Sequence, residues 1–295
     1  MMTDWNAITD AIAAHSGQPF APGAPRPVSG GCVNQAHVLE DGRTQWFVKT
    51  HAADRLAMFE AEQAGLMALA ASASIRVPQP LCTGTAGGSA YLVMAFLPLG
   101  GGRRGSAATA GRQLAALHRS QAEAFGWERD NTIGATPQPN AWMADWVDFW
   151  HRRRLGHQLT LAAAAGHGGR LQMLGERLLE RLPALLDHSP APSLLHGDLW
   201  GGNIGYLRDG EPVIFDPACY YGDRETDLAM TELFGGFGAD FYAAYREAWP
   251  LDTGYAVRKT LYNLYHILNH LNLFGGGYGA QAEGMLQRLL AETRG

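Results

Sequence analysis

The segment from Leu194 to Pro217 constrains this chain more than any other. It reads Leu-Leu-His196-Gly197-Asp198-Leu199-Trp200-Gly201-Gly202-Asn203, then a polar turn, then Val213-Ile214-Phe215-Asp216-Pro217. Asp198 and Asn203 lie five positions apart in a glycine-rich stretch too irregular for a helix. The apolar run Val213-Ile214-Phe215 delivers a second carboxylate, Asp216, at its end. Asp209-Gly210 between the two is a turn signal, so the segments should form a hairpin. That hairpin would bring Asp198, Asn203 and Asp216 into one small volume.

Phosphoryl transfer needs such a set. A carboxylate must orient the attacking hydroxyl and take its proton, and an amide oxygen with a second carboxylate must hold Mg²⁺ against nucleotide phosphates. The spacing matches the kinase pattern of an Asp followed five residues later by Asn, with a metal-binding Asp beyond a hairpin. Asp residues in glycine-rich loops often only cap turns. Here His196-Gly197 before the loop and the strand ending in Asp216 after it weigh against that reading.

With 295 residues, 46% of them hydrophobic and 17% charged, the chain is long enough for two lobes and a substantial core. A net charge of −5 without a long basic run argues against nucleic acid as a partner. The N-terminus lacks a basic-then-apolar signal pattern, and no apolar run approaches a bilayer span. Cys32, Cys82 and Cys219 make neither a disulfide framework nor a metal-ligand spacing, so a reduced, cytoplasmic setting is expected.

Residues 1–97 read as a strand-rich, nucleotide-binding lobe. Asp4 to His15 has amphipathic helical spacing. A glycine-rich turn, Gly30-Gly31-Cys32-Val33-Asn34, is followed by two strands around Asp41-Gly42. Such a turn can lie over phosphates, because backbone N–H groups approach with no side chain in the way. Lys49 ends an apolar strand, where an ammonium is costly unless paired. The next helix, about Asp54 to Ala71, offers Glu60 and Glu62; Glu62, at the edge of the face marked by Phe59 and Leu66, is the expected partner. Two further strands end at Met94-Ala95-Phe96-Leu97, where a nucleotide base could be met by backbone groups.

Residues 98–295 read as a larger, mostly helical lobe with the catalytic and acceptor-binding groups. Ser106 is expected to cap a helix running to His118. Asn140 to Leu155 carries Trp142, Trp146, Phe149 and Trp150 at helical spacing, a pattern more typical of core than of a ligand cage. Arg170 to Leu186, Tyr255 to Phe274 and Gln281 to Leu290 read as helices. Asp227 is expected to cap another and to brace the catalytic loop.

These residues resemble the fructosamine (ketosamine) kinases, within the aminoglycoside and choline phosphotransferase branch of the protein-kinase-like fold. Carrying the resemblance are Gly-Gly-Cys32-Val-Asn, Trp-Phe-Val-Lys49, Phe59-Glu-Ala-Glu62, His196-Gly-Asp198-Leu-Trp200-Gly-Gly-Asn203, Phe-Asp216-Pro-Ala-Cys-Tyr-Tyr-Gly, Leu-Phe-Gly-Gly-Phe near Gly235, and Asn269-His270. It covers nearly the whole chain, and Trp200 is its most specific element. The resemblance implies an α+β, bilobal fold and ATP-dependent phosphorylation of the 3-hydroxyl of a ketosamine, free or protein-bound. The 3-phosphate then decomposes and frees the amine. It further implies Asp198 as catalytic base, Asn203 and Asp216 on Mg²⁺, and Lys49 with Glu62 on the phosphates beneath the Gly30–Asn34 turn. Trp200, His196 and His270 would serve the acceptor, where an indole can stack on a sugar amine. A cysteine in the glycine turn is linked to redox control in this family, so a redox-dependent dimer through Cys32 is expected.

Two other readings stay open at this point. One is a phosphotransferase for an aminoglycoside- or choline-like amine, which should favour a strongly acidic cleft. The other is a nucleotide-binding pseudokinase, whose usual sign, a missing Lys, Asp or metal residue, is not present.

Overall fold

The computed structural model describes residues 3–28 and 34–293. Its first part is a five-stranded antiparallel sheet in the order β1-β2-β3-β5-β4. The strands are β1 (Arg26–Val28), β2 (Gln35–Glu40), β3 (Gln45–Ala52), β4 (Pro80–Ala86) and β5 (Ser89–Ala95). Helix α1 (Trp5–Ser16) packs on one face and α2 (Leu56–Ala71) on the other. Asp4 starts α1 by accepting the N–H groups of Asn6 and Ala7, both at 3.1 Å. The β2–β3 turn is held the same way: Asp41 accepts from the N–H groups of Arg43 and Thr44.

Alternation along the strands sorts the side chains. Val48 and Val93 pack with Ile8 and Ile12 of α1, whereas Leu92 and Met94 pack with Phe59, Leu66 and Leu69 of α2. Lys49, one residue on from Val48, therefore faces α2. The strand period alone places an ammonium on the face where a helix can supply its counter-charge.

The second part is mainly helical. A short strand β6 (Leu99–Gly100) leads into α3 (Ser106–Leu117) and the hairpin β7 (Asn131–Ile133) and β8 (Thr136–Gln138). One helical rod then runs through α4 (Trp146–Phe149), a π-helical turn (Trp150–Leu155) and α5 (Gly156–Ala164). Helices α6 (Arg170–Leu179) and α7 (Leu182–Leu185) precede β9 (Ser193–Leu195). The hairpin β10 (Ile204–Leu207) and β11 (Pro212–Ile214) follows, then β12 (Tyr220–Gly222). Helices α8 (Glu225–Leu233), α9 (Ala239–Ala248), α10 (Tyr255–Phe274) and α11 (Tyr278–Glu292) close the chain. None of the described helices is long and apolar enough to cross a membrane.

Four expectations from the sequence need correction. Ser106 is the first residue of α3 rather than its cap; Gly105 precedes it at φ +90°. The Ser106 hydroxyl accepts the Arg103 N–H (2.9 Å) and donates to the Gly210 carbonyl (2.6 Å), tying α3 to the β10–β11 turn. Asp227 lies inside the first turn of α8, and the Glu225 N–H is taken instead by Asp223 (3.0 Å). The aromatic stripe becomes helical only at Trp146; Trp142 stands before it, 47% exposed, while Trp146, Phe149 and Trp150 are core. The stretch Arg170 to Leu186 is two helices, because Pro183 can start a new helix but cannot continue the old one.

Candidate active site

The loop after β9 is built around a glycine. Gly197 has φ +82°, and a Cβ there would lie 2.1 Å from the Ala218 carbonyl oxygen, so no other residue fits. The N–H groups of His196 and Gly197 both donate to the buried carboxylate of Asp227, at 2.7 and 2.8 Å. Burial pushes the Asp227 carboxyl up, but the His118 ring, then the nearby His196 ring and the Gly197 N–H, more than offset this and hold it below its usual range. Asp227 thus braces the loop as expected, although not as a helix cap.

His196 is wholly buried. Its Nδ1 accepts the Asp198 N–H (3.3 Å), so Nε2 carries the proton and donates to the Phe215 carbonyl (2.9 Å). Burial pushes its pKa down, consistent with a neutral ring. With both nitrogens engaged inside the protein, His196 positions the Asp198 and Asp216 segments and does not reach an acceptor. This corrects its expected place among the substrate residues.

Asp198 and Asn203 meet directly. The Asn203 side-chain N–H₂ donates to the Asp198 carbonyl (2.8 Å) and to its Oδ2 (3.1 Å). Burial lifts the Asp198 carboxyl well above its usual range, the Asp216 charge adds to that, and the Asn203 hydrogen bond opposes it. The Phe215 N–H donates to the Asn203 carbonyl (3.1 Å), which places Asp216 at the mouth of the β10–β11 hairpin.

Lys49 closes the set from the sheet side. Its Nζ donates to Glu62 and to Asp216, each at 2.5 Å. Glu62, not Glu60, is therefore the helix partner. Burial works against the Lys49 charge, and the two carboxylates more than reverse it, so its pKa is raised. Asp216 adopts φ +58°, a left-handed conformation uncommon outside glycine.

An aromatic shelf flanks the carboxylates. The Trp200 indole is 37% exposed and meets Phe234 edge-on at 6.4 Å; Phe234 lies 4.9 Å from the His270 ring. His270 also touches Tyr278 at 5.2 Å. Its Nδ1–H donates to the His266 carbonyl, which leaves Nε2 as the free ring nitrogen.

A model of the fructosamine kinase family matches residues 4–292. The chain belongs to that family. A probable ketoamine kinase of Synechocystis sp. is 51% identical over 288 residues, 97% of each chain. The crystal structure of a putative fructosamine-3-kinase from Haemophilus somnus is 30% identical and superimposes with a TM-score of 0.89 over 98% of both chains. The fold is also that of the aminoglycoside phosphotransferase APH(4)-Ia, at 15% identity and a TM-score of 0.62 over 97% of this chain and 99% of that one. The kinase-like α+β architecture expected from the sequence is thus the one present.

Against this family framework, the structure brings Asp198, Asn203, Asp216, Lys49 and Glu62 together, with Trp200 and His270 on the neighbouring shelf. Met94 is buried in the core beneath the seam. The N–H groups of Ala95 and Phe96 donate to the Gln79 and Gln45 carbonyls, so they are spent within the protein. Asn34 stands just before β2, while Gly30, Gly31, Cys32 and Val33 lie outside the described residues. Three residues escaped the sequence reading. His118 joins the Tyr245 hydroxyl (2.8 Å) to Asp227 (3.2 Å), and Arg224 donates to the same hydroxyl (3.1 Å).

Proposed function

We propose that the chain is an ATP-dependent kinase acting on the 3-hydroxyl of ketosamines, free or protein-bound, and so serves deglycation. The observation that carries this reading is the Asp198 carboxylate, held by Asn203 next to the half-exposed Trp200 indole. A sugar amine resting on that indole would present a hydroxyl to a carboxylate whose orientation is already set. Asp198 takes the hydroxyl proton as the sugar oxygen bonds to the γ-phosphorus and the bond to ADP breaks. Positioned acid–base work of this kind is worth roughly 10²- to 10⁴-fold.

Lys49, braced by Glu62, would hold the nucleotide phosphates, with the Gly30–Asn34 turn above them and the base at the seam near Leu97. The donor set suits Mg²⁺. The Asn203 nitrogen is committed to Asp198, which leaves its Oδ1, and the Asp216 carboxylate is a second hard oxygen donor. When bound there, the ion would supply charge neutralisation at the transferring phosphate. In this reading residues 1–97 bind nucleotide, residues 98–295 carry the acceptor, and the protein works in the cytoplasm.

An aminoglycoside-like acceptor would call for a strongly acidic cleft. The shelf here is Trp200, Phe234 and His270, which favours the ketosamine. Phosphorus NMR of the product made from fructosamine, ribulosamine and erythrulosamine with Mg-ATP tests the assignment. Phosphate on the 3-hydroxyl is expected; phosphate elsewhere, or turnover of aminoglycosides alone, would overturn it.

A further inference from the structure

Behind α2 lies a cavity of about 660 Å³. Glu60, Ala64 and Met67 line it from the helix. At about 100° per residue these positions fall on the side of α2 opposite Glu62. The cavity therefore shares a helix with the Lys49 ion pair but not its space.

The facing wall is aromatic. Tyr221 lies against both Trp127 and Trp142, with ring centroids 5.5 and 5.9 Å apart and planes inclined by 30°. Met67 and Trp142 are 59% and 47% exposed, unusual for such large apolar side chains. Glu60 and Glu128 both line the cavity, against one cation, Arg129. That guanidinium is drawn aside: it lies 3.9 Å from the Glu128 carboxylate and donates to the Glu60 carbonyl (3.4 Å). Ring faces and excess carboxylate both attract positive charge, and Met67 with the indole of Trp142 offers surface to an aliphatic stem. An anion would meet two acidic residues and a single guanidinium that is already engaged.

We propose that this cavity is a second ligand site, which binds an organic cation: a primary ammonium or guanidinium on a short aliphatic stem. The occupant would bridge α2 to β12 and to the Trp142 segment. It would thereby brace the helix that carries Glu62. By linkage, the cation and the nucleotide would change each other's affinity by the same factor.

Titration calorimetry of the whole chain tests this, with n-butylamine and agmatine as probes and n-butanol and butanoate as uncharged and anionic counterparts. Both amines should bind at one site per chain, and the two counterparts should not. Affinity should fall about tenfold or more in Glu60→Gln and in Trp142→Ala, both surface changes, because each removes one source of attraction for the cation. It should be unchanged in Trp200→Ala, which alters the acceptor shelf instead. The proposal fails if neither amine binds, if butanol matches butylamine, or if butanoate is preferred. It also fails if binding is lost in Trp200→Ala but kept in Trp142→Ala, since the amine would then occupy the shelf.

Discussion

The imidazole of His118 lies 3.2 Å from the carboxylate of Asp227, and both are buried. The contact joins α3 to α8 and holds in place the acceptor of the His196 and Gly197 N–H groups. Tyr245 on α9 completes the arrangement from the other side of the ring. Replacing Asp227 by Asn turns one of its two acceptor oxygens into a donor, so one of the two N–H groups loses its acceptor, and an unmet buried partner costs about 1–3 kcal/mol. Asp227→Asn should therefore melt at a lower temperature and lose turnover together. His118→Ala should lose kcat more than ATP affinity, because it loosens the loop that carries Asp198 and leaves Lys49 untouched. His118→Gln should recover part of that kcat. Melting curves beside steady-state kinetics decide this: a normal kcat in His118→Ala would show that the contact supports only the fold.

Asp198 and Asp216 are both carboxylates at the hairpin mouth, yet their neighbours differ. Asp198 meets Asn203, and Asp216 meets Lys49. Asp198→Asn should remove nearly all turnover and leave Mg-ATP binding close to normal. Asp216→Asn should weaken Mg-ATP binding as well. Calorimetry with both variants is the check, and equal loss of binding in the two would reverse the assignment of roles.

Folding raises the pKa of Asp198. The folded protein therefore holds this proton more tightly than the unfolded chain does. Below the ordinary carboxylate pKa of about 4 both states are protonated and the residue costs nothing. As pH rises toward the folded value, the unfolded chain ionises first and the folded state loses relative stability. Asp198→Asn, which never ionises, should melt above the unsubstituted protein at about pH 7, with the difference closing below about pH 4. Scanning calorimetry without metal or nucleotide measures it; a difference that grows on acidification would contradict the burial argument.

Cys32 lies between Gly31 and Val33 in the sequence, in the glycine-rich stretch outside the described residues. By contrast, Cys82 and Cys219 are buried, and burial pushes both thiols up, Cys82 to about 11. Those two should resist oxidation, since the thiolate is the reactive form. Mild peroxide should then inactivate the enzyme through Cys32, as an intermolecular or mixed disulfide, with protection by ATP and recovery in thiol reductant. Non-reducing gels and activity assays on Cys32→Ala provide the comparison. Equal inactivation of both proteins would leave Cys32 without this role.

The grouping of the site residues was legible because it is local. Asp198, Asn203 and Asp216 fall within one hairpin, and Lys49 with Glu62 follows from a strand period meeting a helix period 13 residues on. The supports were not legible, because they are made by distance. His118 meets Asp227 across 109 residues and Tyr245 across 127, and nothing near any of them marks the contact. His196 misled for a related reason: it stands beside the proposed catalytic Asp198 in sequence, while its ring is turned inward by a carbonyl 19 residues away. Asp227 was misread as a cap because α8 begins two residues earlier than its acidic start suggests. Trp142 was grouped with the core because spacing cannot tell where a helix begins.

The backbone of Asp216, at φ +58°, sets this site against any search for a sturdier protein. Left-handed geometry costs an ordinary residue about 1–2 kcal/mol, and glycine escapes most of it. Asp216→Gly would also remove the carboxylate that crowds Asp198 with negative charge, but it would strip buried Lys49 of one of its two partners, a loss that opposes the backbone gain. A selection that rewards heat resistance alone should enrich glycine here only together with changes that remove the buried Lys49 charge and its Glu62 partner, and such survivors would lack the ion pairs on which the proposed reaction depends. Any thermostability screen on this enzyme therefore has to select for turnover in the same step.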